Sequence, residues 1–173
     1  FWNGQKIVDL SRAFLDTSGC SKKQDAKISN LQEIKSNYIE FNEENFYKIL
    51  ADKNVASQKG LVEMFDSTVG ATTVTLPFGG KYQTTEAEGC VQTLPILKAE
   101  NVETVSFASW GFDAEISKQN SMIGASLAVV ESVAKIVAMG GNFRNIRLSF
   151  QEYFEKLGNQ PEKWGKPLAS LLG

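Results

Sequence analysis

The residues best suited to chemistry are two charges set inside an otherwise apolar stretch. In SMIGASLAVVESVAKIVAMGG, Glu131 and Lys135 are the only ionised side chains between Ser121 and Met139. They stand four residues apart, so a helix places them on one face, in the order that the helix dipole favours. Two readings stay open at this point. The pair is an i,i+4 ion pair on a solvated stripe, worth about 0.3–0.5 kcal/mol, or it is the polar wall of a cleft that takes metal, phosphate or substrate.

A second candidate is the run Phe78, Gly79, Gly80, Lys81, Tyr82, Gln83. Adjacent glycines let backbone N–H groups approach an anion, and Lys81 adds positive charge. The same run also suits a plain loop between strands. Asp66, Ser67 and Thr68 in FDST could cap or turn the exit from a helix, or line a cleft. The chain has no histidine. That removes every Ser-His, Cys-His or His-metal arrangement it could have built alone.

These residues need elements to position them. Ile123, Leu127, Val130, Ala134 and Val137 recur with a helical period, Asn120 and Ser121 suit the N-cap, and Gly140–Gly141 stops the run. Val129, Val133 and Ile136 spread apolar character around the circumference, which predicts a helix packed on most sides. Upstream, a helix beginning at Asn42 or Glu43 carries Phe46, Ile49 and Leu50, and residues 56–65 supply a second helical segment. Strand signals fall at 72–76, 90–94, 105–110 and 146–150, followed by an amphipathic helix over 151–157 closed by Gly158. Trp110, Phe112, Phe150 and Phe154 sit at ordinary apolar positions and are expected to pack rather than to stack on bases. The pattern predicts an α+β fold with helices covering one face of a sheet.

Bulk properties narrow the classes. A chain of 173 residues suffices for one domain with its own core. A net charge of −2 without a Lys/Arg cluster argues against a nucleic-acid partner. Charge interrupts the longest apolar runs, so no transmembrane helix and no membrane partner are expected. Cys20 and Cys90 lie far apart without CxxC spacing, which indicates neither zinc nor a disulfide framework and fits a reducing cytoplasm. The start at Phe1 reads as an excised piece of a longer chain, and the apolar residues among 1–14 as a face normally covered by what precedes them, so self-association is expected.

The segments GLVEMFDSTVGATTVTLPFGGKYQTTEAEGCVQTLPI, ASWGFD, AVVESVAKIVAMGG and RLSFQEYFEKLG follow one another in an order that resembles phosphoribosylformylglycinamidine synthase of the long, single-chain type. The likeness runs from about Val55 to the C-terminus, with KIVDLSRAFLDTSG resembling the end of the preceding domain. It implies a two-layer α+β sandwich, with a mixed or antiparallel sheet and helices on one face, like the N-terminal domain of aminoimidazole ribonucleotide synthetase. Residues 1–41 would be the tail of one synthetase subdomain plus a linker, and 42–173 the N-terminal-type subdomain of the second synthetase copy. The implied parent activity is the ATP- and glutamine-dependent conversion of formylglycinamide ribonucleotide to its amidine in purine biosynthesis.

ATP or ADP, magnesium, the ribonucleotide, the other synthetase subdomains and a glutaminase domain are the ligands and partners that this resemblance implies. It places Ala87 at a nucleotide contact, Glu88 and Glu131 as magnesium ligands, and Gly79, Gly80 and Lys81 near the nucleotide. Gln83, Asp66, Ser67 and Thr68 would line the substrate cleft. It supplies no catalytic residue within this piece, which alone should be inert. The chain departs from the family pattern at Lys135, where an asparagine is expected. An ammonium has three donors and no lone pair, so it cannot ligate magnesium. Either Lys135 substitutes for the metal as a nucleotide-binding residue, pairing with Glu88 and Glu131 and with a phosphate, or the nucleotide site of this half is vestigial and the three charges are a salt network. A purely structural subdomain is the alternative function.

Overall fold

In the computed structural model, the residues described are 1–17, 23–29, 31–35, 38–65, 71–96 and 102–173. The helices are α1 (Arg12–Thr17), α2 (Glu43–Leu50), α3 (Lys59–Val62), α4 (Ala114–Gln119), α5 (Ser121–Ala138) and α6 (Pro161–Leu172). The strands are β1 (Phe78–Gly79), β2 (Thr85–Glu86), β3 (Gly89–Thr93) and β4 (Val105–Ser109). Among the described residues they form two small antiparallel sheets, β1–β2 and β3–β4, so the chain is α+β.

Local chemistry accounts for the element boundaries. The Asn42 side chain accepts from the Asn45 N–H at 2.8 Å, and Glu43 and Glu44 occupy the first turn of α2. Asp113 accepts from the N–H groups of Glu115 and Ile116, both at 2.9 Å, to start α4. Asn120 ends α4 and begins α5, accepting from Ile123 N–H at 3.1 Å. At the other end Gly140 has φ +98°, and the N–H groups of Gly141 and Gly140 return to the carbonyls of Ile136 and Val137. That paired closure needs a left-handed residue at the glycine.

In the β3–β4 hairpin, Gly89, Val91 and Thr93 pair with Ser109, Phe107 and Val105 on the covered face. Cys90, Gln92, Ser106 and Ala108 face outward. α5 lies against β4 and between α4 and α6. Phe78, Val91, Ile136 and Ala169 are the buried apolar residues among those described.

Several sequence expectations are corrected here. Residues 146–150 form no strand, because among the described residues no strand takes up their backbone groups, and Phe150 is exposed. Residues 151–157 are not helical, and the C-terminal helix begins instead at Pro161, a residue that suits a first helical position. The stretch 72–76 forms no named strand, only the Thr73–Gln92 bridge, and is tied to β3 by hydrogen bonds that include Val74 N–H to Val91 O and Thr93 N–H to Thr72 O, both 2.8 Å, before Pro77 ends the run. Within 56–65 the helix is limited to Lys59–Val62, where Gln58 provides no side-chain cap and Gly60 weakens the turn.

The largest correction concerns α5. Its periodic apolar stripe, Ile123, Leu127, Val130 and Val137, is exposed, with Val130 at 63 %. The packed face is instead built from small residues and Ile136. α5 is also long and apolar enough, by length and composition alone, to cross a membrane, since Glu131 and Lys135 are too few to break the run. Here its other face packs against β4, α4 and α6. Phe1, Trp2, Ile7, Val8 and Leu10 are exposed as well. The total accessible surface is 14745 Å², against about 8,400 Å² expected for a compact monomer of 19.0 kDa. Much apolar surface is exposed.

Candidate functional site

Two places gather the candidate residues. The first lies where the start of β3 meets the C-terminal half of α5. Lys135 Nζ sits 2.6 Å from Glu131 Oε1 and 3.1 Å from Glu88 Oε2. Its third side is the Trp110 ring, with the centroid 5.3 Å away. Glu131 Oε2 accepts from the Phe112 N–H at 3.1 Å, so one carboxylate ties the ammonium to the loop after β4. The Lys135 side chain is only 15 % exposed, whereas Glu131 is 41 % and Glu88 66 % exposed.

Close backbone approach holds this loop in place. A Cβ on Gly111 would lie 2.1 Å from the Ala128 carbonyl oxygen, which only glycine tolerates. Ser109 Oγ adds a 2.7 Å hydrogen bond to Ser132 O. The sequence places Glu131 and Lys135 together through their spacing, but Trp110 and the Phe112 amide join them from a separate element. Trp110 therefore faces a cation rather than filling the core, and it is exposed, as is Phe112.

Burial pulls the Lys135 pKa down, but its hydrogen bonds and charge interactions with Glu131 and Glu88 outweigh this and leave it above 10.5. The ammonium is therefore protonated at neutral pH and serves neither as a base nor as a nucleophile. A folded-state pKa above the unfolded value means that the stabilisation is fully present below about pH 10.5 and is lost as pH rises through the folded value. In denaturant titrations between about pH 10 and 12, the wild-type chain should lose stability more steeply than Lys135→Met, in which this linkage is absent.

With Lys135 between them, Glu88 and Glu131 do not fit a magnesium ion, because the ammonium holds the position between the two carboxylates. Among the described residues no three His, Cys, Asp or Glu side chains converge on a point.

The second place is an open cleft of about 500 Å³ beside the β1–β2 hairpin. Gly79, Gly80, Gln83 and Ala87 line it, together with Phe78 and Glu86. Gly80 (φ +78°) and Gln83 (φ +52°) are both left-handed, and Gln83 N–H bonds Gly80 O at 3.1 Å. Lys59, at the start of α3, carries no signal in the sequence, yet its Nζ donates to Gln83 O at 2.8 Å and lies 5.8 Å from the centre of the Phe78 ring. No spacing rule links position 59 to position 83. Lys81 does not line the cleft, and its ammonium rests 5.4 Å from the Tyr82 ring centroid.

Consecutive residues join the two places, since Ala87 lines the cleft and Glu88 reaches Lys135. Asp66, Ser67 and Thr68 lie outside the described residues. Compared with known protein families, with curated proteins and with solved structures, the chain gives no match.

Proposed function

We propose that the chain is part of an ATP-dependent carbon–nitrogen ligase of the phosphoribosylformylglycinamidine synthase type. In this reading it is the N-terminal-type subdomain of the second synthetase copy, with a two-layer architecture like that of aminoimidazole ribonucleotide synthetase. The observation that carries its role is the ammonium of Lys135 bound between Glu88 and Glu131. A protonated lysine there does the neutralising that a divalent cation would otherwise do. This half then supplies architecture and subdomain interface, not phosphoryl chemistry, which needs several charge-neutralising elements at once.

The uncovered stripe on α5 and the large total surface also support an interface role. The faces left open fit the remaining synthetase subdomains, the glutaminase domain or a second copy of the chain. A retained nucleotide site is the second reading, favoured by the Gly79–Gly80 cleft that runs into Glu88 through Ala87. There Gly79, Gly80 and Ala87 would meet ADP, and Gln83 the ribonucleotide.

Calorimetric titration with ADP, with and without magnesium, separates the two. The structural reading expects no magnesium-dependent heat from the folded wild-type chain. Magnesium-dependent binding that disappears in Glu131→Ala would favour the nucleotide site. Ligase membership itself is tested by joining the chain to the other subdomains. ATP-, glutamine- and ribonucleotide-dependent ADP release should then require it, while the chain alone stays inert.

A further inference from the structure

The stretch between α1 and α2 reads from sequence as a connection, but two of its described parts, 23–29 and 31–35, hydrogen-bond to the helical layer. Lys27 N–H donates to Pro161 O at 2.9 Å, at the first residue of α6. Lys35 N–H donates to Gln119 Oε1 at 2.9 Å, at the end of α4. Between these points Asn120 Nδ2 donates to Gln32 O at 3.0 Å. Asn120 is 5 % exposed, and it is the one polar side chain buried among the described residues. Its amide does two jobs, with the oxygen capping α5 and the nitrogen holding the extended segment.

Gly165 makes room for this contact. A Cβ on it would lie 2.0 Å from Lys27 O and 3.0 Å from Ile28 N. Those are backbone atoms, which cannot swing aside as a side chain can. A glycine inside a helix ordinarily weakens it, so this one is placed for clearance rather than for helix formation.

We propose that the groove between the α4–α5 joint and α6 is a docking site for an extended segment, read through the main chain and occupied in cis by residues 27–29 and 31–35. Its three hydrogen bonds all use backbone groups of the segment, and Lys27 adds an exposed ion pair with Glu162 at 3.7 Å, so recognition rests mainly on extended geometry. The consequence is mechanical. Whatever the chain joins ahead of residue 23 is tied to the N-terminus of α5, and pulling the segment away removes the partner of the Asn120 amide nitrogen.

The test is hydrogen exchange on the full chain, read at the amides of Lys27, Lys35 and Ile123. In wild type, the Lys27 and Lys35 amides should be protected. Asn120→Asp keeps an oxygen to cap Ile123 but loses the donor to Gln32, so exchange at Lys27 and Lys35 should rise at least about tenfold while Ile123 stays protected. Gly165→Ala should lower the Tm by about 3 °C or more, although alanine otherwise favours a helix. Unprotected Lys27 and Lys35 amides in wild type would overturn the proposal. So would unchanged exchange in Asn120→Asp, which keeps its cap and should fold, or a raised Tm in Gly165→Ala.

Discussion

Lys135→Met is expected to lower the stability of the chain by about 1–2 kcal/mol, between the value of an exposed ion pair and that of a hydrogen bond to a buried charge. The ammonium is nearly covered, but its partners are not, and water re-enters around Glu88 once the lysine is gone. Glu131 keeps the Phe112 N–H and so retains one partner. The cost falls mainly on the lost contacts of Lys135 and on the repulsion of two carboxylates now facing each other. For a chain of this length the Tm should fall by about 2–8 °C, read by calorimetry. Glu131→Gln should cost more than Glu88→Gln, because Glu131 holds both the ammonium and the Phe112 amide. Equal effects would mean that the tie to the loop after β4 contributes nothing.

Gly111→Ala is expected to have the larger effect, a loss of about 1–3 kcal/mol from overpacking. The added methyl meets the Ala128 carbonyl at 2.1 Å, and the Ser132 N–H lies 3.0 Å away. Neither belongs to a side chain that can rotate clear, so the loop must lift from α5. Lifting it carries Trp110 off the Lys135 ammonium and Phe112 off Glu131. Two readings should therefore change together, with a lower Tm and a shifted Trp110 emission spectrum, the latter isolated by replacing Trp2 and Trp164 with phenylalanine. A Tm change without a change at Trp110 would separate the loop from the charge cluster.

How much of this is legible in the sequence depends on whether the determinant is local. The ends of α5 are readable because Asn120 and the Gly140–Gly141 pair act within one turn of themselves. The strands β3 and β4 are readable because alternation is a nearest-neighbour signal, whereas their pairing is not. α6 is hidden because Gly165 and Pro167 fall inside its apolar run, and only Pro161 marks its start.

The apolar stripe of α5 shows a limit of a different kind. Periodicity identifies Ile123, Leu127, Val130 and Val137 as a face that needs covering, but it does not say that this chain supplies the cover. At the candidate site, spacing alone joins Glu131 to Lys135. Glu88 enters only through the resemblance, and Trp110 and Lys59 have no signal, because their partners lie more than a turn or a hairpin away.

In the proposed role the ammonium of Lys135, not a divalent cation, neutralises Glu88 and Glu131. The most direct test follows the backbone amides of Gly89, Phe112 and Ser132 by NMR at neutral pH as manganese, a paramagnetic stand-in for magnesium, is added with and without ADP. Wild type should show no selective broadening at these three amides. Selective broadening there, abolished by Glu131→Ala, would place a cation between the carboxylates and contradict the account.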